Sequence, residues 1–213
     1  MSNKTLVILA HPNPGESQVN AAWRTRLEEA ALPVTLRDIY QLYPDWTVDV
    51  AAEQALLESH ERIFLQFPLY WYSVPPLLKK WLDDVLAYGW AYGPRGDRLA
   101  RKEMGLIVST GSPESAYQRN GRLGHTLAEL LRPMEQTIRF VGARYVPVFT
   151  LQGANRVIPA DQLSRSADDY VAHVGGLAAG ASSATHHRCA AGSSPPRNDL
   201  SQGHDFTRVH LDA

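Results

Sequence analysis

Thr5-Leu-Val-Ile-Leu-Ala10 decides the fold. The run is short and continuous, as a strand buried on both faces is, and such strands belong to parallel sheets covered by helices on either side. It is closed by His11-Pro-Asn-Pro-Gly-Glu-Ser17, where two prolines and a glycine exclude regular structure. Val19, Trp23 and Leu27 then recur every four residues, the mark of an amphipathic helix. The same strand-then-helix unit repeats along the chain. Val34, Leu36 and Asp38 read as a second strand, and residues 50–60 as a helix. Ile63-Phe-Leu-Gln-Phe67 is a third strand, stopped by Pro68. Pro75-Pro76 opens a helix through Val85, with proline in the first turn where its missing N–H is not needed. Gly105-Leu-Ile-Val-Ser109 is a fourth strand, and Leu127, Leu130, Leu131, Met134, Ile138 and Val141 mark one long helix. Arg144-Tyr-Val-Pro-Val-Phe149 is a fifth strand, which Pro147 assigns to an edge. Leu163, Ala167, Tyr170, Val171 and Val174 mark a last helix. Five alternations predict an α/β fold, a parallel sheet with helices on both faces.

Composition bounds the function. At about 150 residues per domain, 213 residues predict one domain with a remainder. Lys and Arg total 21 against 22 Asp and Glu, which argues against nucleic acid as the main partner. The single cysteine, Cys189, excludes an internal disulfide and a cysteine-built zinc site. No apolar run approaches the ~20 residues of a membrane span. The N-terminus passes straight into the first strand without a signal-peptide pattern, so a cytoplasmic location is expected. From Gly175 the periodicity stops. Residues 1–174 therefore read as the folded domain, and 175–213, rich in Ala, Gly, Ser and Pro, as a low-complexity, disordered tail. His186, His187 and Cys189 have no closed metal-site spacing, so no metal is expected. The abrupt change of composition would also fit an altered reading frame at the end of the gene.

In an open parallel sheet, ligands sit beyond the carboxyl ends of the strands. Three loops leave those ends. The first, from His11 to Asn20, is neither GxGxxG nor a P-loop, which counts against a Rossmann dinucleotide site and an ATPase. It places Ser17, Gln18 and Asn20 at a helix start, where free N–H groups suit a phosphate. Ser17 also reads as a simple N-cap, a role compatible with facing a phosphate, and His11 as a residue that merely closes its strand. The second loop, Pro68-Leu-Tyr-Trp-Tyr-Ser-Val-Pro75, carries three successive aromatics that cannot all face the core. They fit either a flat apolar ligand or partner, or a packed corner. The third, Ser109-Thr-Gly-Ser-Pro-Glu-Ser-Ala-Tyr117, lets backbone approach a ligand, or is an ordinary turn. A phosphate cradle, an aromatic shelf and a small-residue loop around one crevice fit a flavin mononucleotide.

At these residues the sequence resembles a known family, the flavodoxin-like NAD(P)H:quinone oxidoreductases. Within it, the resemblance is closest to the ancillary subunits of the glutathione-regulated potassium-efflux systems (KefF and KefG type). The matching stretches are Ala10-His-Pro12 with Ser17 and Asn20, Tyr40-Gln-Leu-Tyr-Pro-Asp45 with Asp49, and Ala52-Glu-Gln54. Phe67 to Lys79, Trp81-Leu-Asp83, Gly89-Trp-Ala-Tyr-Gly93, Thr110-Gly111 and Leu131-Arg-Pro133 complete them. The resemblance implies a flavodoxin-like three-layer sandwich whose five-stranded parallel sheet has the order 2-1-3-4-5. It implies bound FMN, with FAD as the alternative, and a homodimer with its active sites at the interface. Carried over by position, His11, Ser17, Gln18, Val19 and Asn20 would hold the phosphate end. Leu69, Tyr70, Trp71 and Tyr72 would offer backbone N–H groups and a ring edge to the isoalloxazine. Thr110, Gly111, Ser112 and Pro113 would line its other side, although many relatives have more glycine there. Tyr117 sits where some quinone reductases have a tyrosine facing the substrate. His125 lies near the expected catalytic histidine, with a different spacing.

The activity so implied is a ping-pong hydride transfer from NADH or NADPH through the flavin to a quinone. Trp71 and the Tyr88–Tyr92 loop would form flat walls, and Tyr117 or His125 would give a proton or hydrogen bond to the quinone oxygen. The alternative is a regulatory ancillary subunit, peripheral at the inner membrane, that binds and activates a potassium/proton antiporter. A free electron carrier fits less well, since such carriers are strongly acidic and this chain carries a net charge of -1.

Overall fold

The structure is a computed structural model, and it describes residues 4–176. The histidines and cysteine of the tail, and the expectation of disorder there, lie outside the described residues. Five parallel strands stand in the order β2-β1-β3-β4-β5, and a sixth, β6, also pairs with β4. They are β1 (Thr5–Leu9), β2 (Val34–Asp38), β3 (Arg62–Pro68), β4 (Glu103–Thr110), β5 (Arg144–Tyr145) and β6 (Phe149–Gln152). The helices are α1 (Gln18–Glu29), α2 (Ile39–Leu42), α3 (Val50–Glu58), α4 (Pro76–Val85), α5 (Leu127–Leu130), α6 (Arg132–Phe140) and α7 (Ala160–Gly175).

Every residue of β1 is buried, as the opening run requires. Side chains alternate across a strand, so the two faces feed two cores. Leu6, Ile8, Ile63 and Leu65 join Leu77, Leu78 and Trp81 of α4 on one face. Val7, Phe64 and Ile107 join Trp23 of α1 and Tyr170 of α7 on the other. On the α1–α7 face, the Trp23 and Tyr170 rings stack at 5.4 Å.

Three readings need correction. The single long helix over 127–141 is two, α5 and α6, divided at Leu131. Pro133 explains the break: it has no N–H for the turn, and its ring collides with the carbonyl four residues back. The fifth strand is likewise interrupted. Val146 still donates to the Met104 carbonyl at 2.9 Å, Pro147 cannot, and pairing resumes where Phe149 meets Ile107. Both fragments lie on the outer side of β4, the edge that Pro147 indicated. The first loop also holds one turn of 3-10 helix, Pro14–Glu16, where no regular structure is expected.

Much of what carries the resemblance is scaffold. Glu53 is fully buried, and three side chains donate to it. Its Oε1 takes Arg37 at 2.7 Å and the Tyr43 hydroxyl at 2.6 Å, and its Oε2 takes the Trp81 indole at 3.0 Å. Gln54 donates to the Val85 carbonyl at 2.9 Å, and the Leu77 N–H donates to the Tyr40 hydroxyl at 3.3 Å. These bonds tie α2, α3 and α4 together and fix where the β3–α4 loop ends.

Candidate flavin-binding cleft

A cleft of about 560 Å³ opens beyond the carboxyl ends of β1, β3, β4 and β6. All three loops singled out in the sequence reach it. Asn13, Glu16, Ser17, Gln18 and Val19 come from the first loop with His11, and Leu69, Tyr70 and Trp71 from the second. Ser109, Thr110 and Gly111 come from the third.

The first loop presents donors. Ser17 is the N-cap of α1, its hydroxyl oxygen accepting the Asn20 N–H at 3.1 Å. An α-helix leaves its first N–H groups without intrahelical partners, and those of Gln18 and Val19 stand at the cleft. His11 accepts the Asn13 N–H on Nδ1 at 3.0 Å, so the neutral ring carries its proton on Nε2. Burial lowers the His11 pKa below its ordinary value, against the upward pull of Asp38 and Glu16. The imidazole is thereby kept as a neutral Nε2 donor. Asn20, expected to hold the phosphate end, does not line the cleft. It is 1% exposed, and its amide is occupied by Ser17, Ser109 and Gln66. Val19 is equally buried and belongs to the core on the α1–α7 face.

The second loop is held in an uncommon conformation. Tyr70 and Ser73 exchange both N–H···O bonds, at 3.0 and 2.9 Å, closing a two-residue turn. Its central residues, Trp71 and Tyr72, have φ of 48° and 65°. Turns with positive φ at both central positions favour Asn and Gly, and here two aromatics stand there. Trp71 is 93% exposed. Strained backbone carrying an exposed indole at a cleft is a functional signature. The expected row of free N–H groups is shorter than supposed: Leu69 donates to the Ser109 carbonyl and Tyr70 to that of Ser73. Those of Trp71 and Tyr72 have no partner among the described residues.

Tyr72 faces a second, more apolar groove of about 410 Å³ between α4 and α6, which Tyr92 and Phe140 also line. Within one chain, therefore, the Tyr88–Tyr92 loop is not a wall of the cleft. Tyr92 contacts Phe140, with ring centres 5.4 Å apart, and Tyr88 packs edge-on against Tyr92.

In the third loop only Thr110 and Gly111 of the four expected residues line the cleft. The Ser112 carbonyl accepts from Thr110 Oγ1 and the Gly153 N–H, and its hydroxyl accepts from Arg122, which turns Ser112 and Pro113 away. The β6–α7 loop completes the cleft with Ala154 and Asn155, which the sequence reading missed. Asn155 lies over Gly111 so closely that a Cβ there would come within 2.4 Å of its amide. A signal was present: Gly153-Ala-Asn155 is a short small-residue run at a strand's carboxyl end, the criterion that found the third loop. A strand taken to end at Phe149 hides it, because the run then stands clear of any strand end. Tyr117 is 5% exposed inside the α4-side core, and His125 is exposed; neither lines the cleft. Among the described residues, no cluster of His, Cys, Asp and Glu suits a metal ion.

Comparison with known proteins agrees with this architecture. A family described as having a flavodoxin-like fold matches residues 3–174. An uncharacterized NAD(P)H oxidoreductase, YrkL, of Bacillus subtilis is 49% identical over 150 residues, covering 70% of this chain and 86% of that protein. The glutathione-regulated potassium-efflux system ancillary protein KefF of Klebsiella pneumoniae is 43% identical over 148 residues, covering 68% and 81%. The structure of general stress protein 14 of Treponema denticola, in complex with FMN, is 44% identical with a TM-score of 0.76, covering 82% and 99%. An NADPH-quinone reductase structure from P. pentosaceus is 32% identical with a TM-score of 0.73, covering 80% and 97%.

Proposed function

We propose a function from the premise that the chain belongs to the flavodoxin-like fold family: it is a flavin-dependent NAD(P)H:quinone oxidoreductase. The observation that carries the reading is the two-sided chemistry of the cleft. Donors from the first loop face a bare indole, held in strained backbone, from the second. An FMN-like ligand has a phosphate for the one and a flat ring for the other. The FMN complex of the Treponema relative and the NAD(P)H oxidoreductase and quinone reductase relatives support it.

His11 Nε2, the Ser17 hydroxyl and the N–H groups of Gln18 and Val19 would hold the phosphate. Thr110, Gly111 and Asn155 would close on the ring from one side, with the free N–H of Trp71 on the other. When bound, FMN would supply the redox chemistry, taking a hydride from NADH or NADPH and returning it to a quinone in two half-reactions. The chain's own part is orientation. Trp71 offers a flat face that stacks either planar substrate and excludes water, and reacting atoms must be brought within about 3–3.5 Å. N–H groups fixed beside the ring stabilise negative charge that develops there. FMN is preferred to FAD, since no surface for a second nucleotide is assigned.

The groove between α4 and α6, lined by Phe140, 71% exposed, and flanked by Tyr88, 68% exposed against Tyr92, supports a homodimer that covers it. A second reading, an ancillary subunit of a potassium/proton antiporter, is favoured by the KefF relative. No described helix is long and apolar enough to cross a membrane, so attachment there would run through a partner.

The test is the visible absorption spectrum of the purified protein, with released chromophore identified by chromatography and NAD(P)H–quinone turnover measured next. Bound FMN with turnover is expected. A colourless protein that also refuses added flavin overturns the reading. Flavin without turnover, together with co-purification of an antiporter, favours the second.

A further inference from the structure

A hydroxyl has one proton to give and two positions at which it accepts. Ser17 Oγ accepts twice, from the Asn20 backbone N–H and from Asn20 Nδ2, both at 3.1 Å. Its own proton must therefore be donated, and no acceptor for it exists among the described residues. Ser17 lines the cleft, so the proton is left for a ligand. This holds only while the Asn20 amide keeps its orientation. Turned over, Asn20 Oδ1 would face Ser17 and take that proton.

The orientation is set from behind. Asn20 Oδ1 accepts Gln66 Nε2 at 3.0 Å, and Gln66 Oε1 accepts the Tyr170 hydroxyl at 2.8 Å. The second hydrogen of Asn20 Nδ2 goes to Ser109 Oγ, also at 3.1 Å, on the third loop. Gln66 and Tyr170 are both 0% exposed, and Asn20 1%. Burial raises the Tyr170 pKa far above its ordinary value, so the phenol keeps its proton. Among the described residues that proton has one acceptor, Gln66 Oε1. Reversing the relay would strand it, and a buried donor without a partner is strongly disfavoured. The direction of every bond from α7 to the cleft thus follows from a single phenolic proton.

We infer that Gln66 and Tyr170 are positioning residues for ligand binding: acting through Asn20, they hold Ser17 as an obligate donor toward the cleft. Such a site selects a ligand ending in an acceptor-only anion, a phosphate monoester, over the same ring system ending in a neutral hydroxyl. The inference rests on the flavin reading above.

The experiment compares FMN with riboflavin, which lacks the phosphate, by fluorescence titration of flavin-free protein. The variants are Tyr170→Phe, Gln66→Leu and the double variant. One hydrogen bond to a charged group corresponds to about a ten- to hundredfold change in affinity. Gln66→Leu should narrow the preference for FMN by that factor and leave riboflavin affinity within about twofold. Tyr170→Phe should narrow it less, since Gln66 still pairs with Asn20 but has lost the partner that fixed its direction. The double variant should unfold at higher urea than Gln66→Leu, because no phenol is stranded, without regaining the preference. A preference unchanged in the variants, or FMN and riboflavin weakened in parallel, overturns the relay and leaves the flavin reading standing. Native protein that binds neither flavin removes both. If Gln66→Leu does not fold, Tyr170→Phe decides alone: an unaltered ratio refutes the inference.

Discussion

Replacing Trp71 by glycine should make the ligand-free protein more stable and the enzyme worse. Trp71 has φ of 48°, in the left-handed region, and that conformation costs a non-glycine residue about 1–2 kcal/mol. Glycine adopts it freely but adds about 0.5–1 kcal/mol of chain entropy to the unfolded state. At 93% exposure, the indole takes almost no buried area with it when removed. The net is a gain of about 0–1.5 kcal/mol, or up to roughly 6 °C in Tm for a chain of this length. Trp71→Ala is the control: it removes the same ring but keeps the strained backbone, so its Tm should match the parent's. The assay is thermal unfolding of flavin-free protein beside quinone turnover of the flavin-loaded protein. With flavin bound, the advantage should reverse, because the stacking face is lost. A flavin-free Trp71→Gly protein that melts below the parent refutes the reasoning, for it would mean that the turn is unstrained or that the indole is covered.

Three further outcomes follow from the same structure. Glu53→Gln should cost about 2–4 kcal/mol in urea unfolding, since it strips the charge partner from Arg37, a penalty reduced from the fully buried case because Arg37 is partly exposed; no change in midpoint would dismiss the knot as a stabilising element. The buried His11 has a folded pKa below its unfolded value of 6.5, so the unfolded state binds the extra proton. The stability of the ligand-free protein should therefore be full above about pH 6.5 and fall as the pH drops through it, and His11→Asn should flatten urea midpoints measured between about pH 8 and about pH 5. Gly111→Ala should push the Asn155 amide aside and weaken flavin uptake in the same absorption assay, and Asn155→Gly alone should weaken it alike; unchanged uptake in Gly111→Ala would show that the close approach has no role.

What the sequence disclosed was whatever one element fixes by itself. The buried run at Thr5 to Ala10, the four-residue spacing of Val19, Trp23 and Leu27, and the Pro75-Pro76 helix start all act locally, and each stands where it was read. The prolines are less legible. Pro147 marks an edge in the sequence but not an interruption, and Pro133 is masked by an otherwise continuous apolar stripe. Tyr117 shows the opposite limit. A phenol on a small-residue loop reads as a ligand contact, and only packing against distant helices reveals that it belongs to the core. Asn155 was missed for want of a correct strand end, a boundary error and not an absence of signal.

The site itself was legible as three loops but not as chemistry, because the decisive property is hydrogen-bond direction. Ser17 as cap and Ser17 as ligand contact are compatible readings in the sequence, which does not connect them. In the structure the first produces the second: capping the Asn20 N–H fills one acceptor position, and the Asn20 amide fills the other. What remains of the hydroxyl is a donor with nowhere to point but the cleft. The groups that enforce this are Gln66, in the middle of a strand that reads as apolar, and Tyr170, on the face of the last helix. They are 46 residues or more from Asn20 along the chain. Periodicity assigns both to the core, correctly, and says nothing of polarity. A buried phenol in this fold thus does more than fill volume: its one proton fixes the direction of the bonds that reach the cleft.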